Sequence, residues 1–162
     1  MSPVKILLLE LARWAVALAA VVCLVLMFRA DPISDADPAA VREAVTARMD
    51  MTNVQEADNQ MIRRLYGLDI AAYESCSLCY PSTNMGAEEL LIVKLASPDQ
   101  AETVRSAIEA RLQTQKNTFD GYGVEQYDLL TNHAVVEIRG NYVLFVVGEC
   151  ADQVRQAFLD AL

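Results

Sequence analysis

The sequence contains few of the residues and motifs on which enzymes depend. His133 is the only histidine, which excludes a metal site built from several histidines. No G-x-S-x-G, phosphate-loop, dinucleotide-binding or H-E-x-x-H motif is present in the chain. His133 lies between Asn132 and an expected strand, where a loop histidine is usually solvated. We therefore predict that the protein is not an enzyme, and that it holds neither a cofactor nor a metal ion.

Basic residues are also scarce. The chain has 13 Lys and Arg against 22 Asp and Glu, a net charge of −9. The excess lies in residues 30–162, where ten basic residues accompany twenty-one acidic ones, for a net charge of −11. Such a surface repels nucleic-acid phosphates and anionic headgroups. We predict that nucleic acid is not a partner.

The cysteines do not form a disulfide framework, because Cys76, Cys79 and Cys150 are an odd number outside the apolar N-terminal run. Cys76 and Cys79 have the spacing of a redox pair, but their flanks predict a strand. Residues three apart on a strand face opposite sides. We predict unreactive thiols; a structural bridge to Cys150 and a catalytic dithiol are the alternatives.

Long apolar runs are absent except near the N-terminus. Residues 14–28, WAVALAAVVCLVLMF, carry no charge, and the run continues back to Ile6 with interruptions only at Glu10 and Arg13. A helix from Ile6 to Phe28 would be about 35 Å long and could cross a hydrocarbon core of about 30 Å. We predict a transmembrane helix here. The membrane-anchoring side chains would be those of Trp14, Leu18, Val22, Leu26 and Phe28.

The charges around this run predict its orientation. Lys5 and Arg13 precede its centre, whereas Arg29 is followed directly by acidic residues. The positive-inside rule therefore favours a cytoplasmic N-terminus and an extracytoplasmic C-terminal domain in a single-pass protein of the cell membrane. A cleaved signal peptide is disfavoured because a cut after Ala30 puts Phe28 at position −3.

Two further alternatives apply to the same run. A lipoprotein signal would need a small residue before the lipidated cysteine, and Val22 precedes Cys23. A buried helix of a soluble domain is disfavoured because no other part of the chain is as apolar. The predicted organisation is a cytoplasmic tip and anchor over 1–30, an acidic stalk over 31–37 and an extracytoplasmic domain over 38–162.

Hydrophobic periodicity predicts an α+β fold for the domain. Helices are expected at 38–48, 58–66, 97–120, 125–130 and 151–162, and strands at 73–80, 88–96, 134–139 and 142–147. Residues 50–57 are predicted to be irregular. The order of two hairpins, each followed by a helix (ββα-ββα), predicts a four-stranded antiparallel sheet with helices mainly on one face, after the N-terminal transmembrane helix.

The second hairpin has the strongest β signal. Gly140-Asn141 is a type II′ turn signal, and it pairs Arg139 with Tyr142 and Ile138 with Val143. One face of this hairpin must be core. The other face is more apolar than a solvated face should be, so we predict that it contacts a partner. The candidate partner residues on this face are Val135, Tyr142, Leu144 and Val146.

Residues 115–130, QKNTFDGYGVEQYDLL, are the segment densest in polar and aromatic side chains. The simplest interpretation is a corner between two helices, closed by Asp120 and Gly121. The alternatives are a partner surface, for which Asp120 and Tyr122 are candidates, and a calcium site. The candidate calcium ligands are Asn117, Asp120, Glu125 and Asp128, but no EF-hand spacing matches.

Four segments resemble a bacterial family defined by a domain of unknown function: ADNQMIRRLYGLD (57–69), AEELLIVKLA (87–96), IEARLQTQKNTFDGYGVEQYDLL (108–130) and VEIRGNYVLFVVG (136–148). The resemblance covers most of residues 38–162 and is most specific around 115–128. It implies small lipoproteins or membrane-anchored extracytoplasmic proteins that accompany acyltransferases acting on surface polysaccharide. It brings no catalytic residues, and this chain departs from it by lacking a proper lipobox.

Together these features predict a non-catalytic, membrane-anchored extracytoplasmic interaction module. Its expected partners are membrane lipid, through the N-terminal helix, and a protein of the cell envelope. The alternative is an accessory subunit that positions components of a surface-polysaccharide acyl-modification complex.

Overall fold

The computed structural model describes residues 13–21 and 32–162. They belong to two compact units, Met1–Asp31 and Pro32–Leu162. In the first unit, residues 13–21 are helical, and the side chains of Trp14 and Leu18 are exposed.

The prediction of an N-terminal transmembrane helix is wrong for the described part of the chain. No helix within residues 13–21 and 32–162 is long and apolar enough to cross a membrane. The described helix in the first unit covers only part of the expected span from Ile6 to Phe28. Of the predicted anchor residues, Val22, Leu26 and Phe28 lie outside the described residues.

The second unit contains five α-helices and five strands among its described residues. The helices are α1 (Pro38–Thr46), α2 (Asn59–Tyr66), α3 (Ala101–Phe119), α4 (Val124–Asn132) and α5 (Ala151–Asp160). The strands are β1 (Val54–Glu56), β2 (Ser75–Pro81), β3 (Glu89–Lys94), β4 (Ala134–Arg139) and β5 (Tyr142–Val147). Single 3-10 turns cover Ile70–Ala72 and Pro98–Gln100.

Local sequence signals account for most of the helix boundaries. Asp37 caps α1, where its carboxylate accepts from the N–H of Ala40, and Asp58 caps α2 in the same way. The side-chain oxygen of Gln100 accepts from the N–H of Ser97 at 3.2 Å, which begins the turn before α3. Gln100 thus supplies its half of a capping box with Ser97.

The sheet has five antiparallel strands in the order β1-β2-β3-β5-β4, not the four that were predicted. The additional strand is β1, which lies within the segment predicted to be irregular. It is three residues long and only Val54 is apolar, so it has no alternation to detect. Its strand character comes from pairing with β2, where Val54 opposes Pro81 and Glu56 opposes Cys79.

Helices cover both faces of the sheet, which corrects the prediction of helices mainly on one face. On one face, α2, α3 and α4 bury Ile62, Tyr66, Val104, Ile108, Phe119 and Leu130 against Leu78, Leu91, Val93, Val143, Phe145 and Val147. On the other, α1 and α5 bury Val41, Val45, Ala151, Val154 and Phe158 against Cys79, Leu90, Ile92, Tyr142, Leu144 and Val146. The domain therefore has two hydrophobic cores separated by the sheet.

The predicted hairpin is confirmed in its register and its turn. Arg139 pairs with Tyr142 and Ile138 with Val143. Gly140 has φ +55°, and Asn141 does not have a positive φ, as a type II′ turn requires. The apolar second face of this hairpin packs into the second core.

The second core corrects the predicted partner surface. The side chains of Tyr142, Leu144 and Val146 are fully buried, and half-buried Val135 packs against the same cluster. The apolar face predicted for a partner is therefore covered by α1 and α5 of the same chain. Tyr142 also contacts Phe158 of α5 edge-on, with 6.3 Å between ring centroids.

Residues 32–37, within the predicted stalk, lie against the β4–β5 turn. The N–H of Ser34 donates to Oδ1 of Asn141 at 2.8 Å, and the hydroxyl of Tyr142 donates to the carbonyl of Ala36 at 2.7 Å. A Cβ at Gly140 would lie 2.1 Å from the carbonyl oxygen of Pro32. Glycine is thus required there both for its φ and for this close approach.

Replacing Leu144 with alanine distinguishes a core face from a partner face. Because Leu144 is buried beneath α1 and α5, we expect Leu144→Ala to lower the free energy of unfolding by about 2–5 kcal/mol. Urea denaturation followed by circular dichroism measures this change. Val124→Ala, at an exposed apolar residue, is the matched control and should change stability by less than about 0.5 kcal/mol. Equal effects of the two substitutions would contradict the assignment of this face as core.

Candidate functional site

A buried carboxylate, that of Glu89, organises the layer formed by α2 and α3. Glu89 begins β3, is 0% exposed, and faces the same side of the sheet as Leu91 and Val93. Its Oε1 accepts from the hydroxyl of Tyr66 at 2.5 Å and from Nε of Arg111 at 3.2 Å. Its Oε2 accepts from Nη2 of Arg111 at 2.9 Å and from Nε2 of Gln115 at 2.7 Å.

These four bonds match the capacity of an ionised carboxylate, which has about four acceptor sites on two oxygens. Arg111 meets it in the bidentate geometry that gives strong charge-assisted bonds. Arg111 and Gln115 are four residues apart on α3, so both point to the same face of that helix. Tyr66 is the last residue of α2. Glu89 therefore connects β3 to both helices.

The network also fixes the protonation states of its donors. Burial, followed by the negative charge of Glu89, raises the pKa of Tyr66 well above its usual value. Burial alone would lower the pKa of Arg111, but its hydrogen bonds and attraction to Glu89 raise it on balance. Tyr66 therefore stays neutral and Arg111 stays charged at physiological pH, which suits an electrostatic or binding role rather than proton transfer.

A cleft of about 350 Å³ lies next to this network, between α2, α3 and the β2–β3 connection. Its lining residues are Met61, Arg64, Leu65, Tyr80, Pro81, Thr83, Asn84, Gly86, Arg111, Gln115, Thr118 and Phe119. They combine apolar and aromatic walls with a few amide, hydroxyl and guanidinium groups. Half of the lining residues are polar or charged, so the cleft is more polar than most small-ligand sites.

Gln115 is the one lining residue with an unused buried polar atom. Its side chain is 5% exposed, and its Oε1 has no hydrogen-bond partner among the described residues. The amide cannot be reversed without cost, because Glu89 only accepts hydrogen bonds and must face Nε2. An unsatisfied buried acceptor costs about 1–3 kcal/mol. Gln115 thus places an acceptor without a donor beside the cleft.

The connection between α3 and α4 forms a second candidate surface, which we call the aromatic corner. It consists of Tyr122, Val124 and Tyr127, whose exposures are 60%, 80% and 40%. Phe119 links the two features. It lines the cleft, and its ring centroid lies 6.1 Å from that of Tyr122. The aromatic corner therefore adjoins the cleft.

The predicted site residues are separated by the fold. Asp120 and Tyr122 are exposed at the α3–α4 connection. The hairpin residues proposed with them are in the second core and do not join this surface. His133 follows α4, and its Nε2 lies 3.9 Å from Oδ2 of Asp128.

The cysteines are three free thiols in the described part of the chain: Cys76, Cys79 and Cys150. Cys76 packs against the first core and Cys79 belongs to the second, so they face opposite sides of β2, as predicted. Burial raises the pKa of Cys76 to about 11 and also raises that of Cys79. Both thiols are therefore poor nucleophiles at neutral pH.

Two of the four side chains considered for calcium are engaged within their own helices. Asn117 accepts from Gln113 at 2.8 Å, and Asp128 accepts from Asn132 at 2.7 Å. Within residues 13–21 and 32–162, no three His, Cys, Asp or Glu side chains are grouped so that they could hold a metal ion.

Sequence reasoning missed the Glu89 network and the cleft. Two signals were present: Glu89 alternates with Leu91 and Val93 on a core-facing strand, and Gln115 interrupts the apolar stripe of α3. Each places a polar group where a hydrophobic one is expected. The partners are 22 to 26 residues apart in sequence, however, and only the packing of α2 and α3 on the sheet brings them together.

The domain is an antiparallel sheet between two helical layers, with a buried carboxylate beside a small cleft. Residues 34–148 match the family model of the domain of unknown function DUF4358, and the chain belongs to this family. The family prediction is confirmed; its bacterial and lipoprotein character stays a prediction. No curated protein and no solved structure matches the chain.

Removing Arg111 should test the structural weight of the network. In Arg111→Met, Glu89 keeps its burial but loses its counter-charge, so we expect a loss of about 3–5 kcal/mol in the free energy of unfolding. Arg63→Met is the control, because the pair of Arg63 with Asp69 is exposed to solvent and should contribute less than about 1 kcal/mol. Urea denaturation at pH 7 compares them. Losses of similar size would contradict a dominant role for Glu89.

The raised pKa of Cys76 predicts slow alkylation. A thiol with a pKa of about 11 is about a hundredfold less ionised at pH 8 than a thiol with the ordinary pKa of 9.0. In a variant lacking Cys23, Cys79 and Cys150, the iodoacetamide rate constant should rise about tenfold per pH unit from pH 8 to pH 10. Mass spectrometry follows the reaction. A rate that levels off below pH 9 would contradict the burial assigned to Cys76.

Proposed function

We propose that this chain is a non-catalytic domain that binds a protein partner through the aromatic corner. The observation that carries the proposal is the exposure of Tyr122, Val124 and Tyr127 within six residues of the chain. Tyrosine is enriched in protein interfaces, and charged residues are depleted at the centres of those interfaces. Three large apolar or aromatic side chains together at one exposed corner form such a centre.

The backbone of the aromatic corner forms a tight turn on Phe119. Phe119 is buried, and its carbonyl accepts from the N–H groups of Tyr122 and Gly123. A Cβ at Gly123 would lie 2.5 Å from the ring of Phe119, so the chain can turn this closely only at glycine. A rigid surface loses little conformational entropy on binding, and this favours affinity.

The charges around the aromatic corner indicate the kind of partner. Asp120, Glu125 and Asp128 are exposed around it. Charged residues at an interface rim mainly govern the choice of partner and the association rate. The proposed partner is therefore a protein with an apolar pocket rimmed by Lys or Arg.

Several sequence-based expectations stay predictions beside this proposal. They are the extracytoplasmic location, the contact with membrane lipid, the envelope origin of the partner and the absence of nucleic-acid binding. The alternative of an accessory subunit for polysaccharide acylation also stays a prediction. The proposed contact at the aromatic corner does not depend on any of them.

Site-specific photo-crosslinking tests the proposal in the cells that produce the protein. A benzophenone amino acid at position 122 should give one defined adduct, and Val124→Lys should reduce that adduct at least about tenfold by placing a charge at the contact centre. Mass spectrometry identifies the adduct. Position 113, exposed on α3, is the control for crosslinking, and Gln113→Lys is the control for added charge.

Two outcomes would contradict a contact at the aromatic corner. One is an adduct of equal yield from positions 113 and 122. The other is an adduct that persists unchanged in Val124→Lys. Thermal denaturation of Val124→Lys should match the unsubstituted protein, because Val124 is 80% exposed and its substitution removes no core contact.

A further inference from the structure

We infer that the cleft between α2, α3 and the β2–β3 connection binds the free carboxyl terminus of a peptide. The ligand's carboxylate meets the guanidinium groups of Arg64 and Arg111, and its last amide N–H supplies the missing donor to Oε1 of Gln115. This inference rests on the proposed function, since the peptide would be the end of the partner protein that covers the aromatic corner.

The charges of the lining residues favour an anionic ligand in the cleft. Arg64 and Arg111 line it, and none of its described lining residues is acidic. Glu89 below the cleft neutralises one positive charge, which leaves a local charge of +1 in a domain with a strong acidic excess. Glu88, which follows Gly86 and Ala87, turns its carboxylate to the N–H of Ala87 at 3.1 Å. The charged side chains that line the cleft are therefore all basic, and the carboxylate of Glu88 lies beside Gly86 at its edge.

The geometry of Arg111 leaves it suited to a second acceptor. Its Nε and Nη2 are occupied by Glu89, whereas a guanidinium carries five N–H donors. Because Arg111 lines the cleft, a carboxylate there can add to the bidentate pair without breaking it. Arg64 is exposed on α2 and supplies the second cation.

Because of Gln115, the ligand must also carry a hydrogen-bond donor beside its anionic group. Its Oε1 is buried without a partner, and its Nε2 is held by Glu89. The oxygen is shielded from solvent, so a ligand must displace one lining side chain to reach it. Met61 lines the same cleft, and its unbranched side chain changes rotamer at low cost. A carboxylate with an N–H donor close by is the chemistry of a peptide's last residue.

Size and position fit a chain end rather than a whole segment. The cleft of about 350 Å³ is at the small end of ligand sites, enough for one or two residues. Phe119 forms one wall and contacts Tyr122 of the aromatic corner. A peptide that leaves the cleft past Phe119 therefore reaches the surface proposed for the partner's body.

N-acetylglycine is the minimal probe, since it has a carboxylate and one amide N–H. We expect it to shift the ¹H–¹⁵N signals of the Gln115 side-chain amide and of Arg111 Nε in the full-length protein, saturably and in the millimolar range expected for so small a ligand. N-acetylglycinamide lacks the carboxylate, and acetate lacks the amide. Each should bind at least about fivefold more weakly at matched ionic strength.

Substitutions give the matched comparison. Arg64→Gln should weaken N-acetylglycine binding at least about fivefold. Arg63→Gln should leave it unchanged, because the neighbouring arginine is paired with Asp69 at 2.9 Å and does not line the cleft. N-acetyl-dialanylglycine, which extends the same terminus, should bind at least as tightly as N-acetylglycine.

Several results would overturn the inference. Equal binding of the carboxamide would remove the anion requirement, and equal binding of acetate would remove the role of Gln115. Weaker binding of the longer peptide would assign the cleft to free small carboxylates. These titrations use no partner protein and leave the aromatic corner intact, whereas the crosslinking experiment leaves the cleft intact. Failure of one proposal is therefore distinguishable from failure of the other.

Discussion

The fold depends on the burial of its two central strands, β3 and β5, on both faces. All six side chains of β5 are fully buried, and those of β3 are buried from Glu89 to Val93. An antiparallel sheet of this kind cannot leave one face to solvent, as many do. It needs two helical layers, and the chain provides them with α2–α4 on one side and α1 with α5 on the other. The solvent-facing functional surfaces are consequently confined to helices and connections.

Much of the fold could be predicted from short-range signals. The caps at Asp37, Asp58 and Ser97 and the Gly140-Asn141 turn each involve residues a few positions apart, so the sequence displays them directly. The layer arrangement is not local. An apolar second face on the β4–β5 hairpin is equally compatible with a partner and with helices of the same chain, and only the docking of α1 and α5 decides between them. β1 could not be predicted as a strand because its three residues carry no periodic pattern.

The candidate site was less accessible to sequence reasoning, for a physical reason. A buried carboxylate is tolerated only when its partners are assembled around it, and Tyr66, Arg111 and Gln115 come from two other elements. Glu89 before an apolar strand can equally be a solvated end residue, and the pattern of β3 alone does not separate these. The connection between α3 and α4 was easier to predict, because Asp120 and Tyr122 lie in one continuous stretch of sequence; a partner contact there stays a prediction. Its neighbouring cleft requires three elements to be placed in space.

The pairing of α1 with α5 has a consequence for synthesis on the ribosome. These helices are the first and last of the second unit. The segment before α1 bonds to Asn141 and Tyr142, more than 100 residues later in the sequence, and the hydroxyl of Ser34 donates to the carbonyl of Leu162 after α5 at 3.0 Å. Contacts between residues so far apart in sequence form late, since the intervening chain must be made first. The cover that α5 gives to the apolar stripe of α1, including Val41 and Val45, therefore forms only when nearly the whole domain has left the exit tunnel. During translation, the first helix of this unit is thus among the last to be fully covered, and its apolar stripe is open to a chaperone until then.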